Sequence, residues 1–330
     1  MKHWGRFALW LGTCLIVTGC AQRAPVVMAS AEQQSQARER FSQRALADWT
    51  AMEIRLAGVT HQVAVGAVSM CPNTESAFAL WVQHIGDLPY RLRGEVRDAF
   101  ASSPSARVFP LDAQALGMRA DERIVGVGGI RLDDTGSLQA LDEALGGSRV
   151  TLRLRGAAGV ERDLAIDAQR RCKGRVVLDA RGEPWAAYRG WRIEVSAGLL
   201  GLLDDDALAF VVAHELGHQH LGHLQELMVR AAAGAAVDVA AGQTGLFSLG
   251  AMLTGRQALE READRFALEA VHRAGFDLDG AGQVFDVMAR HMPQTIGKHW
   301  MGQHPRLADR HADMMALKGH LLGDPKRTAP

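Results

Sequence analysis

Ala213-His214-Glu215-Leu216-Gly217-His218 is the stretch on which the reading of this chain turns. Histidines four apart on a helix stand one turn above each other on one face, so both imidazoles can reach one cation. Glu215 projects beside them, where a carboxylate can take a proton from water held on a metal. Zinc suits such a pair because it accepts imidazole nitrogen, has no redox chemistry and keeps a position open for water. Apolar Phe210, Val211, Val212 and Leu216 around the motif make it a buried helix. Asp204-Asp205-Asp206 mark its start, since acidic residues are favoured near a helix N-terminus. The pattern predicts one helix from Asp204 to about Ala233.

Such a site needs a third ligand, and His220 and His223 are nearby. A metzincin arrangement requires Gly three residues after the second His and His three further on, but those positions hold Leu221 and Leu224. On a continuous helix His223 lies about 180° round from His214. Both extra histidines therefore read as surface or outer-layer residues. Glu260-Arg261-Glu262-Ala263-Asp264 offers a better partner. Glu260 and Asp264 share a helix face, with Glu262 about 200° round from Glu260. Glu260 is the candidate third ligand of one Zn2+ per chain. Asp264 can accept the free N–H of a ligating imidazole, orienting it and raising its basicity. A solvated acidic helix with Arg261 and Arg265 as partners is the competing account of this segment.

The start of the chain reads as a targeting segment. Lys2 and Arg6 precede a short apolar run, Phe7 to Thr18, which is too short to span a bilayer comfortably. The run ends in Val17-Thr18-Gly19-Cys20, which resembles a bacterial lipobox. Residues 1–19 are then a lipoprotein signal peptide, Cys20 the lipidated residue and membrane anchor, and 20–30 a tether. Ala21 rather than Asp after Cys20 implies, by resemblance to enteric sorting rules, an outer-membrane location facing the periplasm of the bacterial envelope. Ordinary secretion with cleavage near Ala29-Ser30-Ala31 is the alternative. Only Cys71 and Cys172 then remain in the folded body, and in an oxidising compartment they are expected to form a disulfide. Lys plus Arg and Asp plus Glu both number 37 in the 330 residues, so no basic excess points to nucleic acid as a partner. Apolar residues make up 48%, enough for two modest cores.

Between the ends, the composition changes twice. From Ala31 to Leu56, apolar Phe41, Ala45, Trp49, Met52 and Leu56 recur at helical steps, and the Val- and Ala-rich stretch His61 to Met70 alternates like a strand. Residues 31–70 are thus an N-terminal helix and strand of the main domain. Residues 72–170 hold short strand-like runs, among them Arg149 to Arg155 and Arg162 to Ile166, and one helix, Ser137 to Leu145. Ala115-Leu116-Gly117-Met118-Arg119-Ala120-Asp121-Glu122-Arg123-Ile124-Val125, followed by Val127-Gly128-Gly129-Ile130, resembles the core of a bacterial PDZ domain. Asp121 and Glu122 depart from the usual Gly-Asp. That resemblance implies a groove for a peptide ligand, with Gly86 to Gly94 as its carboxylate loop. From Arg175 the chain changes again, with strands at Val176 to Asp179 and Trp191 to Ser196 and helices at Leu259 to Ala274 and Ala281 to Arg290. The small apolar stretch Ala231 to Leu253 reads as a mobile or membrane-facing loop. Residues 175–320 form the main domain and 321–330 a tail. The fold class is α+β: a mainly helical domain with a small edge sheet, plus an inserted β-rich domain.

Over about 175–315 the chain is similar to the gluzincin family that contains the HtpX, CAAX prenyl endopeptidase and BepA metallopeptidases. The similarity rests on Gly198-Leu199-Leu200, His214 to His218 with Gly222-His223, Glu260 to Asp264, and His304-Pro305 followed by Arg310. It implies a zinc metalloendopeptidase with Glu215 as general base. It also implies that His304 approaches the zinc or covers the cleft, and that Arg310 supports either the oxyanion or the fold. The strand Trp191 to Ser196 would lie along the cleft and pair with extended protein or peptide substrates, such as misfolded or unassembled envelope proteins. A lipid-tethered PDZ adaptor or chaperone, in which proteolysis is secondary, is the rival reading. A purely structural zinc lipoprotein would need four protein ligands.

Overall fold

The computed structural model describes residues 28–89, 93, 106–132, 138–242, 256–291 and 307–323. Cys20, His304 and residues 243–255 therefore lie outside the described residues, as do 90–92 and 94 of the expected carboxylate loop.

Ser30 opens α1 (Ala31–Gly66) with a reciprocal cap, its hydroxyl accepting from the Gln33 backbone while the Gln33 side chain accepts from the Ser30 N–H. The helix buries Leu46, Trp49, Glu53, Leu56, Val59, Val63 and Ala64 along one stripe. The strand expected at His61 to Met70 is not formed. The helix continues to Gly66 and ends in a 3-10 turn, Val68–Met70. Val59, Val63 and Ala67, four apart, all enter the main core, and the packing of that stripe outweighs the strand preference of the Val residues.

Beyond Cys71 the chain forms a neck and a second core. β1 (Thr74–Ala77) pairs antiparallel with β8 (Gln169–Cys172), Thr74 opposite Cys172. Between them, β2 (Leu80–His84) pairs with β3 (Ala106–Pro110), and β4 (Arg123–Val127), β5 (Ile130–Arg131), β6 (Arg149–Arg155) and β7 (Glu161–Asp167) form an antiparallel sheet in the order β5-β4-β6-β7. The helix α2 (Leu138–Leu145) packs there through Leu141 and Leu145. Val108, Ile124, Leu141, Leu152, Leu154 and Ile166 make a core separate from the main one. Alternation along β6 sends Val150, Leu152 and Leu154 inward, while Arg149, Arg153 and Arg155 pair with Asp167, Asp163 and Glu161 on β7. Such solvent-exposed pairs fix register more than they add stability. The two departures noted at Asp121 and Glu122 have local uses. Asp121 accepts from the Ala157 N–H at 3.1 Å, and Glu122 takes both the Arg119 N–H and the Arg162 guanidinium. The Cys71–Cys172 disulfide is formed, with Cα atoms 5.6 Å apart, and closes the neck.

The rest of the chain surrounds one buried helix. β9 (Val176–Asp179), β10 (Ala186–Tyr188) and β11 (Ile193–Ser196) form a sheet in the order β10-β11-β9. After the short α3 (Ala197–Leu200), Asp204 caps α4 (Asp205–His220) by accepting from Ala207 N–H at 2.9 Å. Ala207 through Gly217 are all buried, so α4 is enclosed on every side, with His214 and Glu215 as its buried polar residues. It is packed by α1, by α6 (Arg256–Arg273) and by α7 (Asp279–His291); α8 (Leu307–Gly323) closes over α6 and α7.

The single helix expected from Asp204 to about Ala233 is two helices. α4 stops at His220 and α5 runs His223–Ala240, with Gly222 between them at φ +74. Only glycine adopts that left-handed conformation without a steric penalty. The expected loop from Ala231 begins instead as helix, to Ala240. No helix among the described residues is long and apolar enough to cross a membrane.

Candidate metal centre

α4 and α6 meet face to face because Gly217 lets them. A Cβ on Gly217 would sit 3.2 Å from the Ala263 Cα, so any larger residue between Leu216 and His218 would push the helices apart. At this contact His214 and His218 from α4 face Glu260 from α6. The two Nε2 atoms are 3.0 Å apart, and Glu260 oxygens lie 3.4 Å from His214 Nε2 and 3.7 Å from His218 Nε2. Ligands at zinc distances of about 2.0–2.1 Å in a tetrahedron stand roughly 3.3 Å from one another, so the three donors fit such an ion. Charge points the same way. Glu215, Glu260, Asp264 and Arg310 are all buried, and among the described residues Arg310 is the one buried arginine. Three carboxylates facing one fixed cation leave a deficit that a divalent ion would balance.

The groups behind the donors hold them in place. His214 Nδ1 lies 2.9 Å from Asp264 Oδ1, the orientation expected for a ligating imidazole with its other nitrogen fixed. Burial works against charge on His214, but the Asp264 and Glu260 carboxylates outweigh it and hold its pKa up to about 10 when no metal competes for the ring. Burial likewise opposes an ionised Asp264, and the His214 and Arg310 partners overcome it, so its pKa is lowered. Arg310, on α8, grips both Asp264 oxygens at 2.7 Å and reaches Glu260 Oε2 at 3.2 Å. Of the two roles implied for Arg310, this geometry describes support of the site rather than an oxyanion contact.

His223 requires a correction. It does not face away from the site: the Gly222 break swings it back, and its Nδ1 sits 2.9 Å from His218 Nδ1, almost fully buried. Its Nε2 lies 3.4 Å from Glu262 Oε2. If His218 ligates through Nε2, its Nδ1–H donates to His223 Nδ1, and His223 Nε2–H donates to Glu262. His223 is thus an orienting group for His218 rather than a ligand. Glu262 points away from the ligand face as expected, yet serves the site from behind. The Leu221-Gly222 pair after the motif was the available signal, since Gly commonly ends a helix. His220 stays outside the centre and stacks on Phe266.

The neighbouring strand also differs from expectation. β11, in the region Trp191 to Ser196, is flanked on both sides and has no free edge. The edge strand on the side of the centre is β10, and Tyr188 N–H donates to Glu215 Oε2 at 2.7 Å. Ser196 N–H to Trp185 O and Arg189 N–H to Arg192 O fix which residues point inward, so Ala186 and Tyr188 direct their backbone groups outward, toward the site. Beyond Ala186, an apolar recess is lined by Leu199, Phe210, Val284, Phe285 and Met288 beside His214 and Glu215.

Residues 162–318 match the sequence profile of Peptidase family M48. Two curated proteins of Escherichia coli (strain K12) are similar to the chain. It is 29% identical to metalloprotease LoiP over 131 residues, 36% of this chain and 52% of that one. It is 29% identical to metalloprotease YcaL over 128 residues, 35% of this chain and 50% of that one. The chain therefore spans about half the length of the curated relatives it matches. His214, His218 and Glu260 all fall within the stretch that is similar to Peptidase family M48.

Proposed function

We propose that the protein is a zinc-dependent endopeptidase that cuts extended stretches of protein chains. The convergence of His214, His218 and Glu260 within one buried contact, with Glu215 beside them, carries this reading. A zinc ion held there supplies Lewis acidity, polarising a peptide carbonyl and making a water molecule acidic near neutrality. Glu215 takes the proton from the attacking water and passes it to the leaving amine. Tyr188 N–H holds the Glu215 carboxylate in position, and the outward backbone groups of Ala186 pair with the substrate backbone. Pairing with a strand edge selects an extended conformation more than a sequence. The recess past Ala186 accepts an apolar side chain. Such a site favours unfolded chains, and the lipobox-like segment ending at Cys20 supports misfolded or unassembled envelope proteins as substrates, met at the periplasmic side of the outer membrane.

Purified protein should digest an unfolded substrate, and chelation or Glu215→Gln should abolish cleavage. For Glu215→Gln the loss is at least about 10²–10⁴-fold, with metal content retained. Zinc-loaded protein that cleaves no unfolded chain would overturn the proposal.

A second reading, peptide capture by the PDZ-like segment, is favoured by one observation. An open groove runs between β2 and α2, lined by Phe78, Leu80, Val82 and Leu145, with Arg171, Lys173 and Arg175 opposite. Among the described residues β2 pairs only with β3, and the reading places the peptide along the other side of β2. Titration of the whole protein carrying Glu215→Gln with peptides ending in a free or an amidated carboxyl group tests this. Equal binding of both, or none, would count against carboxylate capture.

A further inference from the structure

Behind the Cys71–Cys172 bond stands His220, the last residue of α4, with one ring nitrogen within 4.8 Å of both sulfurs. Its nitrogens are closed off from solvent and make no full hydrogen bond, with only a marginal contact to the Lys173 backbone. The ring is held flat against Phe266, 6.5 Å between centroids and 17° between planes. Nothing in peptide hydrolysis uses this imidazole. A disulfide gives it nothing to bind, but two thiols in the same place would.

We propose that reduction of the Cys71–Cys172 bond turns the neck into a second metal site, in which two thiolates and His220 hold a borderline-soft divalent cation such as zinc. Two sulfurs and one imidazole nitrogen are a donor set that zinc takes, with water in the fourth position. Sulfurs about 2.3 Å from zinc in a tetrahedron stand roughly 3.8 Å apart. The 5.6 Å between the two Cα atoms accommodates that spacing by side-chain rotation. Cys172 is fully buried and Cys71 partly exposed, so a dithiol reductant attacks at the Cys71 sulfur. In that exchange the dithiol is oxidised to its disulfide, the protein S–S bond breaks, and each protein sulfur gains a proton. Metal binding then forms two metal–sulfur bonds and one metal–nitrogen bond and releases both thiol protons to solvent. The disulfide and the metal are thus alternative closures of one neck. His220 follows His218 by two residues and Phe266 follows Asp264 by two, so a cation at the neck bears on both helices of the hydrolytic centre.

Cobalt(II) titration of the whole protein tests the proposal, because thiolate ligation gives a near-ultraviolet charge-transfer band that nitrogen and oxygen ligands do not. Oxidised protein should bind one equivalent without the band. Protein reduced with a phosphine should bind two equivalents, the second with the band. Glu260→Gln should weaken the first equivalent and leave the band, which separates failure at the hydrolytic centre from failure at the neck. His220→Ala should weaken the second equivalent by more than about tenfold. Cys71→Ser, at the more exposed sulfur, should do the same and serves where a buried change misfolds. Reduced protein that gains no second equivalent and no band overturns the proposal. A band of unchanged affinity in His220→Ala overturns the imidazole's part in it.

Discussion

Replacing Arg310 by Met strands two buried carboxylates while roughly keeping the volume of the side chain. The wild-type guanidinium makes two 2.7 Å contacts with Asp264 and one of 3.2 Å with Glu260, and all three residues are buried. Removing one partner of a buried ion pair costs about 3–5 kcal/mol, most of it the desolvated charge left behind. At roughly 2–4 °C per kcal/mol for a protein of this size, melting should fall by about 6–20 °C. Asp264 would also lose the clamp that aims it at His214, so zinc affinity should drop about 10–100-fold. Differential scanning calorimetry of metal-stripped protein reads the first effect, and competition with a chelating dye reads the second. The diagnostic comparison is Arg310→Met with and without Asp264→Leu. The double variant should be less destabilised than the sum of the two single ones, because the stranded carboxylate has gone. Additive effects, or a cost below about 1 kcal/mol for Arg310→Met, would refute the account of Arg310 as the clamp on this centre.

His223→Ala should lower zinc affinity about 10–100-fold while leaving the three ligands in place, measured by the same dye competition. Gly222→Ala should destabilise by about 1 kcal/mol or more through its φ of +74, and weaken zinc binding by misplacing His223; urea unfolding and zinc titration check both effects. The Arg162 partner, with the Arg119 N–H, lowers the Glu122 pKa to about 2. Its contribution to stability is therefore full above the unfolded value of about 4.3 and is lost as pH falls through about 2. Glu122→Gln should lower the urea midpoint at pH 6 and make a vanishing difference near pH 2.

The candidate centre was legible because each part of it has a short-range signature: two histidines four apart on one helix, and Glu260 with the orienting Asp264 four apart on another. Two strands of the inserted segment were legible, Arg149 to Arg155 with the bounds it has in the structure and Arg162 to Ile166 within one residue at each end; the shorter strands Thr74–Ala77, Leu80–His84 and Gln169–Cys172 were not. What escaped depended on a single backbone angle or on packing. At Gly222 one left-handed residue reversed the direction of His223, which no periodicity argument on a straight helix can foresee. At His61 to Met70, Val63, Val65 and Ala67 satisfy a period of two, and only the partners across the core select the helix. The edge strand is three residues long, and the sequence of Ala186–Tyr188 does not say that Trp191 to Ser196 will be covered on both sides.

Arg310 comes from α8, after every other described residue of the metal centre in the order of the chain. A chain still being made therefore holds two histidines and two acids with no guanidinium to brace them. Ending the chain before α8 would leave Glu260 and Asp264 buried beside His214 without the guanidinium that braces them, so the last described helix is part of the centre and not an appendage to it.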